Sequence, residues 1–248
     1  MRKYIGMIVI SMLFATLYAG AETIDAHYRV SFGVIGEIAE ARAHLERKGD
    51  RYRIEVAGEA TGFARSLSRN RKEKQVSEGH IKEGLLVPDR YSIIRSFGNK
   101  VIKRVYTIDH KTQQIIQHNE KTESGKLVWK DQKVLKYYAV NDLLTLYFNI
   151  SILIPDKEKK ATYTFKAVGA EKQHGSVEAI IPGKSEQVDY EKELGKGNYW
   201  YLTAIIHQKI FASNKGELIL SIGQDGVTQR AILKDVVMFG DILAERIQ

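Results

Sequence analysis

The 248-residue chain has no cysteine, three prolines and four methionines. Without cysteine there are no disulfides, thiolate metal sites, cysteine nucleophiles or lipid attachment through an N-terminal Cys. Met1, Met7 and Met12 crowd at the start, so the remaining chain has no methionine-rich surface. Long apolar runs are also scarce. The longest, at 5–17, falls short of the roughly 20 residues that a spanning helix needs. What is present is a charged fraction of 27%, with 38 Lys+Arg against 30 Asp+Glu and apolar residues throughout. That composition argues for a folded chain, and the length suits one domain or two small ones.

The start of the chain reads as an export signal. Arg2 and Lys3 precede the apolar run, and Ala19-Gly20-Ala21 supplies the small residues a signal peptidase reads. Cleavage after Ala21 leaves Glu22 as the new N-terminus; cleavage after Ala19 is the competing site. The expectation is a periplasmic product, soluble after cleavage, without a transmembrane segment. Its domain organisation is then a signal peptide over 1–21 and a single β domain over 22–248.

Beyond the signal, period-two alternation dominates. Ile24, Ala26, Tyr28, Val30 and Phe32 alternate with Asp25, His27, Arg29 and Ser31, the pattern of a strand with one buried face. Ala39 to Leu45 and Tyr52 to Ala60 do the same around Lys48-Gly49-Asp50, which predicts a hairpin. Similar segments recur to the end of the chain, separated by turns such as Gly98-Asn99, Glu123-Ser124-Gly125 and Asp225-Gly226. Two segments break the rule. Phe63 and Leu67 at i,i+4 predict a short helix over 62–69 with Thr61 as its cap. The segment 141–150 is apolar nearly all round behind Asn141 and Asp142, so it predicts a helix buried on most sides. In a β-rich chain such a helix plugs the concave face of a curved sheet.

Several short runs, in order, resemble the DUF3108 family of exported bacterial proteins. The first runs from Tyr28 to Ala39, followed by Gly49 to Ile54, Ala60-Thr61-Gly62-Phe63-Ala64 and Gly84-Leu85-Leu86-Val87-Pro88. Asn141-Asp142-Leu143-Leu144 and Lys215-Gly216-Glu217-Leu218 complete the series. The resemblance implies a strongly curved antiparallel sheet, similar to the half-barrels of periplasmic lipoprotein carriers, to which the residue pattern adds two short helices. It implies no activity, because the family has no known function and a fold alone assigns no ligand.

The side chains that carry chemistry form no recognisable constellation. His27, His44, His80, His110, His118, His174 and His207 include no H-x-H, H-x-x-x-H or H-E-x-x-H spacing. Glu37, Glu40 and Glu46 are unremarked acids, and Ser66, Ser68 and Ser77 lack a G-x-S-x-G setting. The expectation is a non-catalytic protein without cofactor or metal, and without a nucleic-acid partner. Arg65, Arg69, Arg71, Lys72 and Lys74 follow the first helix and are candidate contacts for an anionic membrane surface. An edge strand defended by charge explains the same run.

The strand beginning at Tyr199 is apolar on both faces, with Trp200, Leu202, Ala204 and Ile206 opposite Tyr199, Tyr201 and Ile205. Either the 143–150 helix covers the second face or that face lines an apolar cavity. Under the cavity reading, Tyr199, Tyr201, Ile205, Leu144 and Phe148 are the candidate lining. The expected function is binding of an apolar or amphipathic envelope molecule within the curved sheet. The alternatives are an interaction or assembly protein without a small ligand, and an enzyme on a cell-envelope substrate.

Overall fold

The structure is a computed structural model that describes residues 22–170, 174–197, 199–206, 216–236 and 240–248. The expected signal peptide and its cleavage site at Ala21 lie outside the described residues, as does His207. The first half of the chain is a meander of β1 (Glu22–Phe32), β2 (Gly36–Lys48), β3 (Arg51–Ala60), β4 (Lys72–Lys82), β5 (Leu85–Phe97), β6 (Lys100–Asp109), β7 (Gln114–Glu123) and β8 (Lys126–Val134). A six-residue helix, α1 (Gly62–Leu67), sits between β3 and β4. The second half holds β9 (Asn141–Asp142), α2 (Leu143–Leu153), β10 (Ala161–Val168), β11 (Ser176–Ile181), α3 (Lys184–Leu194), β12 (Trp200–Ile205), β13 (Glu217–Ile222), β14 (Thr228–Val236) and β15 (Gly240–Arg246).

All fifteen strands join one open sheet, in the order β8 to β1 and then β15 down to β9. The first and last strands therefore pair in its middle, Tyr28 opposite Arg246. Neighbours are antiparallel, as expected, except for a two-residue parallel contact between β9 and β10 at one edge. Alternation sets the faces: Tyr52 and Ile54 are buried, while Arg51 between the turn and Tyr52 is exposed.

The sheet curls back on itself. Laid flat, β5 and β10 would lie ten strand spacings of about 4.8 Å apart. Instead Tyr91 of β5, Tyr106 of β6 and Val168 of β10 share one apolar cluster. Gly169 shows how closely the two ends approach, since a Cβ there would stand 2.9 Å from the Tyr91 ring. Its φ of 101° also suits glycine alone.

Helix α2 fills the space inside this curl. Asp142 caps it, accepting hydrogen bonds from the Leu144 and Thr145 N–H groups at 2.8 Å each, while the Asp142 N–H donates to Thr145 Oγ1. Pro155 follows the last turn and cannot continue it. One end of α2 packs Leu144 among Tyr52, Ile54 and Tyr91; the other packs Ile150 against Leu202 and Ala204. The all-round apolar character read in the sequence thus serves two walls of the same sheet.

The expectation of two short helices is corrected to three among the described residues. Helix α3 lies on the opposite face, with Leu194 and Tyr190 over Tyr201, Ile219 and Ile232. It is mostly polar, so its buried stripe is too narrow to give a strong periodic signal. Its boundaries are legible: Pro182-Gly183 opens it, Glu186 accepts from the Gly183 N–H at 3.1 Å, and Gly195 at φ 83° ends it.

Candidate functional site

The five candidate cavity residues do not line one space. Tyr201 is 3% exposed beneath α3, its hydroxyl donating to Gly195 O at 2.9 Å. Tyr199 packs in the same cluster, and Tyr190 and Thr203 hydroxyls meet there at 2.6 Å. Ile205 continues this face, half-buried, at the end of β12. Leu144 and Phe148 lie across the sheet in the α2 cluster, with Phe148 edge-on to Tyr147. The helix covering the second face of the 199–206 strand is therefore α3, and α2 covers the first. A sequence reading that lacks α3 has to assign both jobs to one helix.

A buried polar cluster anchors the α2 plug. Tyr52 and Ser77 hydroxyls lie 2.9 Å apart, and Asp142 Oδ2 is buried without a geometric hydrogen bond. Burial pushes the Asp142 carboxyl up to about 6, opposed by the neighbouring Ser77 hydroxyl and the two helix N–H groups. Burial likewise raises the Tyr52 phenol, helped by the Asp142 charge. These groups are enclosed, so their chemistry is structural.

At one end of the sheet the structure assembles a cluster that sequence spacing hides. His80 Nδ1 lies 3.1 Å from Asp89, which also accepts from Arg51 at 3.0 Å. The His110 ring stands edge-on to His80, 6.0 Å away, and both its nitrogens are engaged, Nδ1 with the Tyr138 hydroxyl and Nε2 with Pro88 O at 2.7 Å each. The pair arises because β4 and the end of β6 flank β5, a relation without sequence periodicity. Among the described residues no group of three or more His, Cys, Asp or Glu is placed to hold a metal ion.

The opposite end has a different character. Helix α1 projects there with Phe63 70% and Leu67 71% exposed, and Ile35 in the β1–β2 turn is 53% exposed. The Thr61 N–H donates to Ile38 O and its hydroxyl to Glu37, joining α1 to that turn. The Gly98 N–H donates to Arg69 O, joining it to the β5–β6 turn. The sequence-derived basic residues surround this end. Lys72 pairs with Glu59 at 2.7 Å, Lys74 with Glu55 at 2.6 Å, Arg71 with Glu73 at 3.6 Å and Arg65 with Glu59 at 3.9 Å. The Lys72 hydrogen bond holds the Glu59 carboxyl below its ordinary range. Arg69 makes no ion pair among the described residues.

Two open grooves lie on the outer surface. One, of about 790 Å³, runs over β5 to β8 between Arg90, Lys103, His118, Glu120, Lys130 and Gln132. The other, of about 460 Å³, lies beside α1 and is lined by Ala57, Gly58 and Ile94 with both cations, Arg42, Lys72 and Lys74, and acids, Glu40, Glu59 and Glu73. Among the described residues, no helix is long and apolar enough to cross a membrane.

No curated protein matches the chain. A solved structure described as a beta-barrel-like protein of a domain of unknown function, DUF1849, from Brucella abortus is similar at 10% identity and a TM-score of 0.45. The match covers 90% of this chain and 95% of that one. The family model for DUF3108, described as a protein of unknown function, matches residues 27–245. With nearly all of the sheet inside that match, the chain belongs to the DUF3108 family.

Proposed function

We propose that this protein is an exported, non-catalytic envelope component that works through its exterior, with the end of the sheet around α1 as its contact surface. The observation that carries the reading is a contrast. The interior of the curl is occupied by α2 and tightly packed apolar clusters, while Phe63 and Leu67 stand in solvent. Monomeric proteins scatter single apolar side chains over their surfaces, but two large ones on one turn of a protruding helix mark a contact site.

Binding of an amphipathic molecule is a second reading, favoured by the groove of about 460 Å³ with its apolar residues and flanking charges of both signs. Native mass spectrometry of protein isolated from its own envelope fraction, together with a photocrosslinker placed at Leu67, separates the two. The exterior reading expects ligand-free protein and crosslinks from position 67 that position 188, exposed on α3, does not form. A stoichiometric lipid retained by the native protein would overturn it in favour of the second reading.

A further inference from the structure

The contact surface has a composition that selects a partner, an inference that rests on the exterior reading above. From Thr61 to Lys72 the chain carries four cations, Arg65, Arg69, Arg71 and Lys72, and no acid. Within the same stretch Phe63 and Leu67 are four residues apart, so they share a face of α1. That face is more than two-thirds exposed at both positions, and Ile35 reaches solvent from the adjoining turn.

A helix of six residues does not hold itself together in water. This one is held from outside, by the Thr61 bonds to β2 and its turn and by the Gly98–Arg69 bond to the next hairpin. The sheet thus presents a rigid apolar tip. A protein core would have withdrawn Phe63 and Leu67 from water, and α1 contributes no buried residue at all. The acids near the tip are Glu37 and Glu40 on β2, Glu59 on β3 and Glu73 on β4; cations engage Glu37, Glu59 and Glu73, and Glu40 lies opposite Glu59. Arg69 is exposed and makes no ion pair among the described residues.

An apolar tip within a cationic collar matches the layered chemistry of a bilayer interface. Apolar side chains gain by entering the headgroup–acyl boundary, and cations gain by lying among anionic headgroups one layer above it. Guanidinium groups suit phosphate oxygens in particular, since their fixed fork offers paired donors. A protein partner would need a complementary apolar pocket ringed with acids; a bilayer needs only anionic lipid. We infer that this end of the sheet docks on an anionic membrane surface, with Ile35, Phe63 and Leu67 inserted and Arg65, Arg69, Arg71 and Lys72 on the lipid phosphates.

Co-sedimentation of the chain as isolated from cells tests this. The probes are phosphatidylglycerol–phosphatidylcholine vesicles and phosphatidylcholine-only vesicles. Wild type should partition onto the anionic vesicles and not onto the neutral ones, with affinity falling as salt rises. Phe63→Ser with Leu67→Ser, and separately Arg65→Glu with Arg69→Glu, should each weaken partitioning by more than about tenfold. Lys130→Glu with Lys133→Glu on β8 should leave it within about twofold of wild type. All these sites are exposed, and matching thermal melts will show that the variants fold. Leu67→Trp supplies a second readout, a blue-shifted emission on anionic vesicles.

Absence of wild-type partitioning would overturn the inference, as would unchanged binding by both α1 double variants or an unshifted Leu67→Trp emission. If position 67 instead crosslinks to a protein while vesicles are ignored, the membrane partner is wrong and the exterior reading stands. A retained stoichiometric ligand in the native spectrum would remove the exterior reading itself.

Discussion

Asn149 of α2 and Leu86 of β5 exchange two hydrogen bonds of 2.9 Å, Leu86 N–H donating to Asn149 Oδ1 and Asn149 Nδ2 donating to Leu86 O. The reason lies in the sheet. β6 pairs with β5 only from Arg90 onward, so the start of β5 lacks a partner on that side. The Asn149 amide supplies the donor and acceptor that a strand would have offered. Asn149→Leu keeps the volume but leaves both Leu86 groups buried and unmatched, at a cost of about 2–5 kcal/mol. Asn149→Asp sets a carboxylate oxygen against the Leu86 carbonyl and should be at least as damaging. Urea unfolding of both variants checks this; an unchanged midpoint for either would mean that the clamp contributes nothing.

Asp142 should give the protein an unusual pH dependence. Its carboxyl rises from 3.8 to about 6 on folding, so between those values the native state holds a proton that the unfolded chain releases. Its contribution to stability is therefore greatest at low pH and is lost as pH rises through this window, by roughly 3 kcal/mol in all. Asp142→Asn keeps an oxygen for the Leu144 and Thr145 N–H groups and removes the charge. Relative to wild type, the variant should gain stability steadily from pH 4 to pH 6.5. Parallel stability curves for the two proteins would refute the assignment.

Two glycines stand where there is no room for a side chain. A Cβ on Gly79 would lie 2.0 Å from Val87 O, at the bulge where β4 meets Pro88 of β5. At Gly169 it would press on the Tyr91 ring and Leu143. Gly79→Ala and Gly169→Ala should each destabilise by at least about 2 kcal/mol through overpacking. Gly84→Ala meets nothing within 4 Å and is the control for backbone strain alone, since its φ is 79°. Thermal melts of the three variants should place Gly84→Ala nearest to wild type.

Tyr201 distinguishes a packed face from a cavity wall. Because α3 covers it, Tyr201→Glu buries an unpaired carboxylate and should abolish the folded circular dichroism spectrum. Tyr201→Phe loses only the bond to Gly195 O and should cost about 1 kcal/mol. A well-folded glutamate variant would restore the cavity reading of this strand.

Export has its own readout. N-terminal sequencing of the protein isolated from cells should begin at Glu22, or at Gly20 if the competing site is used. Intact Met1 in the membrane fraction would contradict the processing proposed here.

Strands, turns and the α2 segment were legible in the sequence because each is a local pattern. Period-two alternation marks which side chains share a face, and Asp142 with Thr145 marks a helix start within four residues. The basic run after α1 was equally plain, as was the doubly apolar strand at Tyr199. Tertiary structure alone decided what covers each face. Curling of the sheet joins Tyr91 to Val168, and it places α2 and α3 on opposite sides of β12, so that Tyr201 and Leu144 never meet. His80 and His110 meet through strand pairing, across β5 rather than along one strand. Exposure of Phe63 and Leu67 was likewise invisible beforehand, since an i,i+4 apolar pair reads the same whether it faces a core or the solvent. Pattern along a chain records which residues travel together; only the pairing and curling of the sheet determine what they face.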